Sequence, residues 1–145
     1  MAGESAVWGR RWTIPGTLAD ALPIVDEILA HLRRQGWAER DIFAVHLALT
    51  EAISNAVEHG NRKDPSKSVC IAVELAPNRV RIEIEDEGTG FRPEEVPDPT
   101  HPDRIEYPRG RGLHLIRCYM DHVAFEAGGR RIVMAKDRSD VTCSG

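Results

Sequence analysis

Glu51 and Asn55 stand four residues apart, so on a helix their side chains are neighbours. A carboxylate beside a side-chain amide offers two kinds of chemistry. The amide oxygen is a hard, neutral ligand suited to Mg2+, and the carboxylate can accept a proton from an attacking hydroxyl. At about 100° per residue, Glu51, Asn55 and Glu58 fall within an arc of about 60°, with His59 at its edge. Any amphipathic helix also turns such a polar arc to water, so this spacing alone leaves both readings open. Asp86-Glu87-Gly88-Thr89-Gly90-Phe91 carries two glycines two apart, which let a ligand approach the backbone closely. Asp86 can accept a hydrogen bond from an exocyclic amine, although Asp and Gly also suit an ordinary turn. The lysine of a Walker loop is missing. Arg109-Gly110-Arg111-Gly112-Leu113 opens a predicted helix, where free N–H groups and the positive dipole end favour phosphate. The two arginines there either add charge-assisted contacts or remain solvated.

These residues need elements to hold them. Val7 to Ile14 reads as a first strand, and Asp20 as the N-cap of a helix with Pro23 in its first turn. Val25, Ile28, Leu29 and Leu32 form the apolar stripe of that helix, and Gly36 lies just past its end. Asp41 is placed to cap a second helix running to Gly60, with Ile42, Val45, Leu49, Ala52, Ile53 and Ala56 facing the core. Val69 to Leu75 and Val80 to Ile84 alternate as strands around Pro77-Asn78, which predicts an antiparallel hairpin. A short helix is expected from about Gly112 to Met120. Val123–Ala127 and Arg131–Lys136 then predict a last hairpin with a two-residue turn at Gly128-Gly129. The expected fold is α+β: a two-layer sandwich whose mixed, mostly antiparallel sheet carries its helices on one face. Five of the nine prolines fall between Pro93 and Pro108, so residues 91–109 read as a long lid-like loop.

The 145 residues fit a single domain, with a core expected over about residues 15–136. Lys plus Arg total 19 against 23 for Asp plus Glu, a formal charge of −4. That balance speaks against a nucleic-acid binder, and no apolar run is long enough for a membrane span. Met1 to Arg11 has no apolar h-region, and Cys70, Cys118 and Cys143 form no paired or metal-ligand spacing. Reduced thiols and a cytoplasmic location are the expectation. No spacing supports a catalytic or metal role for any of the six histidines.

The order of these features carries the weight: Glu-x-x-x-Asn on a helix, a hairpin, Asp-x-Gly-x-Gly, a long lid, then Gly-x-Gly opening a helix. In this order the chain resembles the GHKL ATP-binding superfamily, the Bergerat or histidine-kinase-like ATPase fold. Its N box corresponds to Glu51–Gly60 and its glycine boxes to Asp86–Gly90 and Gly110–Leu113. The stretch LTEAISNAVEHGN, Leu49 to Asn61, is most similar to bacterial anti-sigma-factor serine/threonine kinases. The resemblance implies that Glu51 is the general base and Asn55 the ligand of the Mg2+ that bridges the ATP phosphates. It implies that Asp86 takes the adenine amine above Gly88 and Gly90, and that Gly110, Arg111, Gly112 and Leu113 cradle the phosphates. A sigma factor and its antagonist are the implied partners, and family precedent points to a homodimer. Glu58 stands where many sensor histidine kinases have lysine, and His114 where the second box often has a further glycine. The other two readings are an ATP-liganded module that sequesters a partner without phosphoryl transfer, and a detached histidine-kinase catalytic domain.

Overall fold

The computed structural model describes residues 6–61, 64, 66–88 and 108–139. Strand β1 (Trp8–Pro15) leads into helix α1 (Leu18–Arg34) and helix α2 (Glu39–Asn55), which continues as a π-helical turn over Ala56–Gly60. Strands β2 (Ser68–Ala76) and β3 (Arg79–Glu85), helix α3 (Pro108–Tyr119) and strands β4 (His122–Glu126) and β5 (Arg131–Asp137) follow. The strands form one sheet in the order β1-β2-β3-β5-β4, and every neighbouring pair is antiparallel. The expected mixed sheet is therefore antiparallel throughout its described strands.

The period-two pattern sorts the sheet into two faces. Registered rows such as Trp12, Ile71, Ile84, Ile132 and Phe125 turn inward and share one core with α1, α2 and α3. The row Thr13, Cys70, Glu85, Arg131 and Glu126 lies on the other face. There Arg131 bonds Glu85 at 2.9 Å and Glu126 at 3.0 Å. Both carboxylates raise the affinity of that guanidinium for its proton. On β1, at the edge of the sheet, Arg10 falls in the inward row opposite Val73. It reaches out to Glu27 of α1 at 2.8 Å, and an inward charge of this kind discourages edge-to-edge pairing.

Every residue of the two expected apolar stripes on α1 and α2 is buried. The helix ends differ from the sequence reading. Thr17, not Asp20, caps α1: its Oγ1 accepts from the Asp20 N–H at 3.2 Å and donates to the Asp20 carboxylate at 2.6 Å. Pro23 consequently lies inside the helix rather than in its first turn. Ala38 precedes α2 without any side-chain cap. Asp41 instead sits inside the first turn and is only 1% exposed. Its carboxylate accepts from the Ser139 N–H at 2.8 Å and the Ser139 hydroxyl at 2.5 Å. Lys136 lies 3.7 Å away. The β4–β5 connection is also longer than a two-residue turn, with positive φ at Ala127, Gly128 and Gly129. Among the described residues no helix is long and apolar enough to cross a membrane.

Asp41 thus joins the start of α2 to the chain leaving β5. Asp41→Ala removes the acceptor of the half-buried Ser139 N–H and hydroxyl, while Lys136 keeps Asp121, and should cost about 1–3 kcal/mol. A urea midpoint lowered at unchanged slope is the expected result. An unmoved midpoint would contradict the role given to this carboxylate.

Candidate functional site

Helix α2 packs on the inner face of the sheet and is flanked by α1 and α3. Its polar arc is not fully turned to water: Glu51, Asn55 and Glu58 are all half-buried. Against Glu51 and Asn55 lies α3, which passes alongside at Gly112. A Cβ added there would lie 2.9 Å from Glu51 Oε1 and 3.3 Å from Asn55 Nδ2. The structure therefore brings the glycine of one motif onto the carboxylate–amide pair of another, 57 to 61 positions earlier in the chain. The helix begins at Pro108, four residues before the expected start. Gly110 and Arg111 belong to its first turn, and Gly112 follows them.

Beside this contact lies a small cleft of about 30 Å³, lined by Ala52, Asn55, Ala56, Ile84, Asp86 and Leu113 together with Phe125, Gly129, Arg130 and Ile132. Asn55 is one of its few polar lining groups, and Asp86, 9% exposed, is another. The backbone of Asp86 is fastened by its N–H to the Arg130 carbonyl at 3.0 Å. Its Oδ1 accepts from the Gly88 N–H at 2.7 Å, an Asx-type turn that orients the carboxylate. Ala52 and Ala56 bring small side chains to the apolar wall of the cleft. A neutral amide oxygen and an acceptor carboxylate share that cleft. By its chemistry this donor set fits a magnesium nucleotide, which needs a neutral oxygen for the metal and an acceptor for an exocyclic amine.

The structure thus groups Glu51, Asn55, Asp86, Gly112 and Leu113, with Gly88 in the turn behind Asp86. Gly90 and residues 91–107 of the expected lid lie outside the described residues. Glu58 accepts a hydrogen bond from Ser54 Oγ at 3.2 Å. His114 is exposed, its Nε2 3.6 Å from Cys118 Sγ. The cleft walls at Phe125, Gly129, Arg130 and Ile132 carried no local signal, because strand pairing alone brings them here. The buried amide of Asn61 carried no such signal either. It is fully buried, accepts from the Glu87 N–H at 2.8 Å and donates to the Ser68 carbonyl at 3.0 Å. The Ser68 N–H and hydroxyl in turn bond the Glu87 carboxylate, which holds it below its ordinary range.

Several known proteins are similar to this chain. Residues 14–136 match the model of the histidine kinase-like ATPase domain. The anti-sigma F factor of Clostridium perfringens is 31% identical over 97 residues, covering 63% of this chain and 69% of that protein. The serine-protein kinase RsbW of Oceanobacillus iheyensis is 32% identical over 110 residues, covering 71% and 70%. Among solved structures, the RsbU and RsbW domains of a Mycobacterium tuberculosis protein superpose with a TM-score of 0.61 at 19% identity. That superposition covers 91% of this chain but only 32% of the longer one, and it supports the fold alone.

The contact at Gly112 yields a separable prediction. Alanine is the better helix former by about 1 kcal/mol, and the atom its Cβ would meet is the far end of a flexible side chain. Gly112→Ala should therefore keep or raise the melting temperature while pushing the Glu51 carboxylate aside and lowering activity. Wild-type activity in this variant would show that the contact does not matter to function.

Proposed function

The chain belongs to the histidine kinase-like ATPase domain family, and on that premise we propose that it is an ATP-dependent serine/threonine protein kinase. In this proposal it acts as an anti-sigma factor in a partner-switching module, holding a sigma factor and phosphorylating its antagonist. The names of the relatives support this reading, one an anti-sigma factor and the other a serine-protein kinase. The observation that carries it is the meeting of Glu51 and Asn55 with Gly112 beside the cleft that Asp86 lines. A homodimer is assigned on resemblance.

Bound ATP supplies the transferable phosphoryl group, and Mg2+ offsets its charge. The protein's own part is positioning and proton transfer. Asn55 presents a neutral oxygen to the metal, and Asp86 accepts from the base amine. Gly110, Arg111, Gly112 and Leu113 present the start of α3 to the phosphates. Glu51 takes the proton of the attacking serine or threonine hydroxyl as its oxygen bonds to phosphorus and ADP leaves. Retention of a carboxylate at Glu51 is what a transferase requires and a pure sequestering module does not.

Separate roles predict separate failures. Glu51→Gln keeps shape and hydrogen bonding but removes the base, so nucleotide affinity should hold while transfer falls by about 10²–10⁴-fold. Asn55→Ala should weaken Mg·ATP binding and transfer together. Single-turnover transfer alongside calorimetric titration distinguishes the two. Near wild-type transfer by Glu51→Gln would remove Glu51 from the mechanism and favour the sequestering module.

A further inference from the structure

Asn61 makes four hydrogen bonds from a fully buried position, and together they join three segments. Its N–H donates to the Ala56 carbonyl at 2.8 Å, closing the π turn that follows Asn55, and its carbonyl accepts from the Asp64 N–H at 3.0 Å. Its side chain accepts from Glu87, the residue after Asp86, and donates to Ser68 at the start of β2. The slot around it is closed by Gly16, where a Cβ would lie 2.8 Å from the Lys67 carbonyl and 3.1 Å from Asn61 Nδ2. The site therefore demands one donor and one acceptor on a short side chain. A carboxylate, an alkyl group or the longer glutamine does not meet that demand without rearrangement. Single-turn π segments are often found at functional sites. Here the segment sits between the metal-binding amide and the residue that grips the base-binding turn.

We propose that Asn61 is a positioning residue that fixes the distance between the two ends of the nucleotide site, Asn55 at the metal and Asp86 at the base. It acts on the base end: the Glu87 N–H it holds is one peptide unit from Asp86, so releasing that N–H lets the carboxylate drift from its place in the cleft. The inference rests on the assignment of Asp86 to the base amine. Its signature is a loss of base discrimination rather than a uniform loss of binding.

ATP and GTP affinities, each with Mg2+, are compared for the wild type, Asn61→Ala, Asn61→Asp, Asp86→Ala and the Asn61→Ala/Asp86→Ala double variant. The wild type should prefer ATP. Asn61→Ala should erode that preference by about ten-fold, and should add nothing further once Asp86 is removed. Asn61→Asp, which retains an acceptor facing Glu87, should recover part of the preference. A full ATP preference in folded Asn61→Ala, with both affinities lowered alike, would overturn the positioning role and leave Asp86 in place. Equal ATP and GTP affinity in the wild type would overturn the Asp86 assignment and this inference with it. Should Asn61→Ala fail to fold, hydrogen exchange on the wild type decides. Protection of the Glu87 amide comparable to the last turn of α2 supports the clamp, and unhindered exchange refutes it.

Discussion

The depth at which α2 is seated in the core is the constraint on which the rest depends. Leu49 and Ile53 are fully buried beneath the inward rows of the sheet, and they share a helix with Glu51 and Asn55 on an adjoining face. A rigid helix converts burial of the first pair into placement of the second. Truncating a buried Leu or Ile costs about 2–5 kcal/mol, which is a large part of the stability of a domain this small. The same packing that makes the chain fold thus holds the carboxylate and amide in register with α3. Phosphoryl transfer depends on such placement, since a shift of about 1 Å can cost about 100-fold.

Against this apolar background, three polar side chains are buried among the described residues: Asp41, Asn61 and Asp86. Each has at least one backbone N–H as partner, as burial requires. Their consequences differ with their location. Asp41 ties the start of α2 to the chain beyond β5, far in sequence but structural in effect. Asn61 and Asp86 lie on either side of the turn that ends β3, where small displacements bear on a ligand. Gly16 leaves space beside the Asn61 amide, and Gly112 leaves space beside Glu51 and Asn55. The outer sheet face, with Arg131 between Glu85 and Glu126, adds solvated pairs of modest worth.

The sequence made the periodic parts legible. The apolar stripes of α1 and α2 and the alternation of β2 and β3 follow from burial on one face, and burial writes itself into residue order. Ends were harder to place, because Thr17, Asp20 and Asp41 are all competent caps and only tertiary contacts choose among them. Asp41 went to Ser139, almost a hundred positions away, and no local rule foresees that. The motif residues Glu51, Asn55, Asp86, Gly112 and Leu113 were individually weak signals, and their order along the chain made them a candidate site. Arg130 and Gly129 reached the cleft only through the pairing of β5 with β3. Asn61 was visible as the last residue of the stretch from Leu49 to Asn61, but its buried amide has no signature in one dimension.

The central claim is that the cleft between α2, α3 and the sheet serves phosphoryl transfer to a protein hydroxyl. The most direct test is to incubate the chain with labelled ATP, Mg2+ and candidate antagonist proteins encoded nearby, and then to map the label. The account predicts phosphoserine or phosphothreonine on a small partner protein. Phosphohistidine, or tight partner binding with no label transferred, would contradict it.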